Sequence, residues 1–114
     1  MSKISVIKYD CKTKEFTEET VTNWKDYSKL LECRTFDIVA PDENISLYVD
    51  DEGLMVEGNP VSEVTLPDGR KTKLAGHIIV AGGTDRDGNT LSFAGGLEMA
   101  KEMIAETDLE VGYD

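Results

Sequence analysis

The residue types that carry metal and covalent chemistry are scarce in this chain, which has two cysteines and one histidine in 114 residues. Cys11 and Cys33 are too few for a disulfide framework, and a zinc site needs more ligands than two thiols and His77 supply. Both cysteines therefore read as ordinary free thiols of a reducing compartment. Long apolar runs are missing too. The longest, Ile78 to Ala81, is far short of the roughly 20 residues that span a bilayer. The first residues, Met-Ser-Lys-Ile-Ser, lack the apolar block and small-residue cleavage site of a secretory signal. The expectation is a cytoplasmic protein with no membrane association.

Phosphate-cradling loops are also missing. Gly82-Gly83 and Gly95-Gly96 have neither a following Lys-Ser/Thr pair nor a Gly-x-Gly-x-x-Gly pattern, although Gly95-Gly96 precedes a helical stretch. Asp85, Asp87 and Asn89 start like a calcium loop, but the sixth and twelfth positions hold Thr90 and Gly96 instead of glycine and a carboxylate. A hairpin turn is the better reading. His77 has no recognisable nucleophile or orienting acid in its local sequence and reads as a structural histidine. No catalytic residue, cofactor or metal is expected, and the chain reads as a binding protein and not an enzyme.

What the chain has in excess is negative charge, −11 overall, and it is unevenly placed. Residues 1–41 carry seven acids and seven bases, and residues 59–97 carry four of each. The excess comes from residues 42–58, with six acids and no base, and residues 98–114, with six acids against Lys101. Direct nucleic-acid binding, which needs clustered Lys and Arg, is therefore disfavoured. Asp42, Glu43, Asp50, Asp51, Glu52 and Glu57 form a candidate surface for a partner protein with a basic face, including one that normally binds nucleic-acid phosphate. Solvated turns that keep a small protein soluble are the plainer account of the same residues. An alternative is a homo-oligomer enclosing a small anionic ligand such as a signalling nucleotide. Its candidate contacts are Arg70, Lys71, Lys73 and Arg86, with N–H donors from Gly82 and Gly83.

Periodicity gives the architecture. Lys3 to Tyr9 and Phe16 to Val21 read as strands about a turn. Thr22 or Asn23 caps a helix with Trp24, Tyr27, Leu30 and Leu31 on one face, a spacing that predicts core packing for all four. Thr35 to Ala40 and Ile45 to Asp50 read as strands, and Asp50 to Gly53 as a tight turn with Gly53 at positive φ. Val61 to Leu66 and Lys71 to Leu74 flank the hairpin signal Pro67-Asp68-Gly69-Arg70. Gly76 to Ala81 reads as the central strand and Thr90 to Phe93 as a further one. Leu97, Ala100, Met103 and Ile104 mark a second helix, with a frayed tail over 107–114. The expectation is one α+β domain over 1–114, a curved and mostly antiparallel sheet of six or seven short strands packed by two helices.

The order of features from Leu47 to Phe93 resembles a domain family of unknown function, DUF3846, found in small proteins of bacteriophages and mobile elements. The resemblance is carried by the Ile45 to Val49 strand running into Asp50-Asp51-Glu52-Gly53-Leu54, the Gly58-Asn59-Pro60 segment, and the glycine-bounded strand from Gly76 to Gly82. Phe36-Asp37-Ile38-Val39 is similar to the family's preceding strand. The resemblance implies an accessory setting in a bacterial host and no catalytic residues. In that setting an acidic binding protein would act as an inhibitor of a host defence or nucleic-acid-handling factor, or as a structural accessory.

Overall fold

The computed structural model describes residues 3–112, with the side chains of residues 40–42, 54 and 108 outside the description. Strands β1 (Ile4–Asp10) and β2 (Glu15–Val21) form the first hairpin, followed by helix α1 (Trp24–Leu31). Strands β3 (Phe36–Asp42) and β4 (Ile45–Asp50) lead to a 3-10 turn over Gly53–Met55. Strands β5 (Pro60–Thr65), β6 (Lys71–Ala75) and β7 (Ile78–Gly82) follow, then helix α2 (Gly96–Met103) and strand β8 (Ile104–Glu110). The strands divide into a five-stranded sheet ordered β2-β1-β7-β4-β3 and a three-stranded sheet ordered β6-β5-β8. All named pairings are antiparallel.

The alternation of side chains across β1, β4 and β7 explains the layering. Ile7, Leu47 and Val80 lie in one register row and face a core shared with Val64 of β5, Ala100 and Met103 of α2, and Ile104 of β8. Val6, Tyr48, Ile79 and Ala81 point the other way, against Tyr27 and Leu31 of α1. The five-stranded sheet is thus covered by α1 on one face and by α2 with the smaller sheet on the other. Strand β7 is buried along its whole length, as expected for the central strand.

The α+β, antiparallel architecture expected from the sequence is the one observed, with the strands divided between two sheets rather than forming one. Three local expectations need correction. Thr107 to Glu110 belong to β8, which pairs with β5 and is anchored by Thr107 Oγ1 donating to the Val61 carbonyl at 2.6 Å. That pairing is non-local, so an acidic segment with weak intrinsic strand preference is held by a distant partner. Gly53 is not among the positive-φ glycines. It is needed because a Cβ there would lie 2.9 Å from the Ala75 carbonyl oxygen. Beyond Thr90, which makes one isolated bridge to Thr84, residues 91–93 form no named strand.

Candidate partner-binding groove

Helix α1 starts from a reciprocal capping box. The Lys25 N–H donates to Asn23 Oδ1 at 2.9 Å, and the Thr22 and Asn23 N–H groups donate to Asp26 Oδ2 at 2.7 and 3.2 Å. The bond from Thr22, then that from Asn23, holds the Asp26 carboxyl below its usual range. These bonds fix the first turn and with it Trp24 and Tyr27. Tyr27 lies flat on Tyr48 with ring centroids 3.9 Å apart and planes 2° from parallel, and Phe36 tilts against both. Burial, then the neighbouring Tyr48, pushes the Tyr27 phenol upward.

The facing wall is the turn from Gly83 to Leu91. The Gly82 N–H donates to the Leu91 carbonyl and the Leu91 N–H to the Gly83 carbonyl, both at 2.8 Å. A Cβ on Gly82 would collide with the Ser92 carbonyl oxygen, and one on Gly83 with that of Glu43. These two glycines are required by close backbone approach. At the tip, Asp85 Oδ1 accepts the N–H groups of Asp87 and Asn89, both at 2.9 Å. The Asn89 bond is the main cause of the lowered Asp85 pKa. The Tyr48 hydroxyl joins wall to floor through Thr90 Oγ1 at 2.7 Å.

Between α1 and this turn lies an open groove of about 550 Å³. Its floor is aromatic, with Tyr27, Phe36 and Tyr48, and its rim carries Trp24, Ile38 and Leu91. Those three are 62%, 55% and 46% exposed, an unusual amount of large apolar surface to gather at one concavity. This corrects the expectation that Trp24 packs in the core. Tyr27 and Leu31 are buried, but Trp24 is the first helical residue, and helical side chains lean toward the N-terminus. Its indole therefore reaches into the groove, with the Lys25 ammonium 5.8 Å from the ring centroid.

The acidic candidates separate into two groups at opposite ends of β4, roughly 20 Å apart for a six-residue strand. Glu43 sits in the β3–β4 turn, where its carbonyl abuts Gly83; the Asp42 side chain lies outside the described residues. At the other end Asp50 Oδ1 accepts the Glu52 N–H, Asp51 Oδ1 accepts from Thr35 Oγ1 at 2.6 Å, and Glu52 pairs loosely with Arg34 at 3.9 Å. Glu57 is exposed in the next turn.

The anion-binding candidates divide as well. Arg70 is paired with Asp68 beside the β5–β6 turn, Lys71 with Glu63 at 3.6 Å, and Lys73 stands opposite Glu63 in the register. Arg86 is in the Asp85 to Asn89 turn, which belongs to the other sheet. Gly82 has already committed its N–H.

The opposite end of α1 holds His77, 6% exposed. Its Nδ1 accepts the Cys11 N–H at 3.2 Å, and its Nε2 lies 3.0 Å from Glu32 Oε2. A neutral ring so placed carries its proton on Nε2 and donates it to Glu32. Asp10 Oδ1 is 3.6 Å from Nδ1. Ligand atoms of Asp10, Glu32 and His77 come within 4.8 Å of one another, but the geometry does not suit a cation. A metal on Nε2 would move the ring proton to Nδ1, where the Cys11 N–H already points. Burial works against the Asp10 charge, yet the Thr13 and Lys12 N–H groups and His77 outweigh it and lower its pKa. The histidine is a brace joining the end of β1, the C-cap of α1 and the β6–β7 connection.

The family model of a domain of unknown function, DUF3846, matches residues 4–105, and the chain belongs to that family. No curated protein and no solved structure matches it.

Proposed function

We propose that this DUF3846 domain is a binding protein that engages a partner protein with a basic surface through the aromatic groove. One observation carries the reading: Trp24, Ile38 and Leu91 stand exposed around an open cavity with a preformed aromatic floor. Exposed apolar anchors around a concavity are what partner side chains bury, and aromatic residues dominate such contacts. The net charge of −11 selects a basic partner and speeds encounter with it. The pairing of Arg70 and Lys71 with carboxylates and the committed Gly82 N–H favour this over capture of a small anion. By covering a basic surface, such a protein would act as an inhibitor of a host nucleic-acid-handling factor, with no catalytic step of its own.

Site-specific photocrosslinking in bacterial cells tests this. A photoreactive phenylalanine at Leu91 is expected to give discrete protein adducts, lost when Trp24→Asp is added. The same probe at Lys73, exposed on the other sheet, should give none. Equal adducts from both positions, or none from Leu91, would remove the groove from consideration.

A further inference from the structure

The groove runs out onto an open strand edge. β3 ends the five-stranded sheet, and among the described residues no backbone hydrogen bond beyond its ladder with β4 reaches residues 36–39. An edge strand presents a row of free N–H and C=O groups, a template for another strand. Phe36 and Ile38 of this strand line the groove, while Asp37 is exposed and alternates to the opposite face. The sheet's other outer strand, β2, carries no exposed large apolar side chain.

The charge around β3 says what kind of strand fits. Phe36 stands opposite Asp50, which puts Asp50, Asp51 and Glu52 at the start of β3. Glu43 lies in the turn at its other end, and Asp37 lies between. The 42–58 acidic stretch, which looked like a single patch in the sequence, thus brackets an open edge. A second copy is disfavoured, because its own Asp37 and terminal acids would face these across the new pairing, and like charges opposed on a sheet repel. We infer that the partner docks as an added β-strand along β3, as an extended segment with alternating apolar and basic residues. Its apolar side chains would enter the groove beside Ile38 and its basic ones would face Asp37. This rests on the groove being the docking face.

The test uses the whole chain, isotopically labelled, at low salt, with the peptide Lys-Val-Lys-Phe-Lys-Val-Lys. Backbone amide exchange is followed by NMR and Trp24 fluorescence is read on the same samples. Strand addition is expected to slow exchange at alternate amides of residues 36–39 by about tenfold or more, with a change in Trp24 emission. Asp37→Lys should abolish both effects. A fluorescence change without β3 protection would overturn strand addition while leaving the groove as the docking face. Protection of β3 with no fluorescence response would instead separate the edge from the groove and overturn the joint assignment. No response in either signal would overturn both this inference and the basic-partner reading.

Discussion

The two ends of α1 rest on the same sheet face and are finished in opposite ways. At the C-terminal end the buried imidazole of His77 has both ring nitrogens engaged, one by the Cys11 N–H and one by Glu32. At the N-terminal end the capping box satisfies the backbone, yet Trp24, Ile38 and Leu91 remain open around a cavity. One end spends its polar groups on holding the fold; the other leaves apolar surface that folding alone does not require. Exposure of that kind is the better guide to function, because a satisfied polar cluster is already explained by stability.

The largest effect should come where the two ends share the core. Tyr27→Ala removes a buried ring stacked on Tyr48, and a loss of about 3–5 kcal/mol is expected, measured by urea unfolding. A change below about 1 kcal/mol would mean that the groove floor is not part of the core. His77→Ala should cost about 2–3 kcal/mol, because the Cys11 N–H loses its acceptor in a buried place. Unlike Tyr27→Ala, it should leave Trp24 emission in the native state unchanged, which separates the brace from the groove.

How much of this was readable beforehand follows from range. The β7 strand, the β5–β6 hairpin and the Asn23 cap are set by neighbours in sequence, and the structure has each of them. The β8 strand was hidden because its partner β5 lies some forty residues earlier and its acids argue against a strand. Trp24 departs from its sequence expectation for a subtler reason. Helical periodicity puts it on the face of Tyr27 and Leu31, but periodicity cannot say where the underlying sheet ends. The acidic stretch was visible as composition, whereas its division about an open edge depends on β3–β4 pairing. Chain spacing carried no trace of the contacts from His77 to Asp10 and Glu32, since sequence separation conceals them.

The brace also predicts a pH effect. The Asp10 pKa is lowered in the folded state, so it contributes stability that is present above the unfolded value of 3.8 and lost as pH falls through the folded value. The stability difference between the wild type and Asp10→Asn should therefore shrink on acidification from about pH 5 to about pH 2. A difference that stays constant across that range would show that the carboxylate charge plays no part in the brace. Tyr48→Phe, which removes the hydroxyl contact to Thr90, should cost only about 1 kcal/mol. Its effect should be seen as faster amide exchange in the Gly83 to Leu91 turn.

The smallest effect on stability is the one that matters most for function. Trp24 is 62% exposed, so Trp24→Ala should change unfolding free energy by no more than about 0.5 kcal/mol. If the indole is an anchor for a partner, the same substitution should weaken binding of the Lys/Val/Phe peptide by about tenfold or more, since truncating a central aromatic anchor commonly costs 2 kcal/mol or above. Thermal unfolding and peptide titration on one preparation give both numbers. Lost stability with retained binding would make Trp24 a structural residue whose exposure is incidental. Lost binding with retained stability would mean that this end of α1 is kept open for something other than the fold.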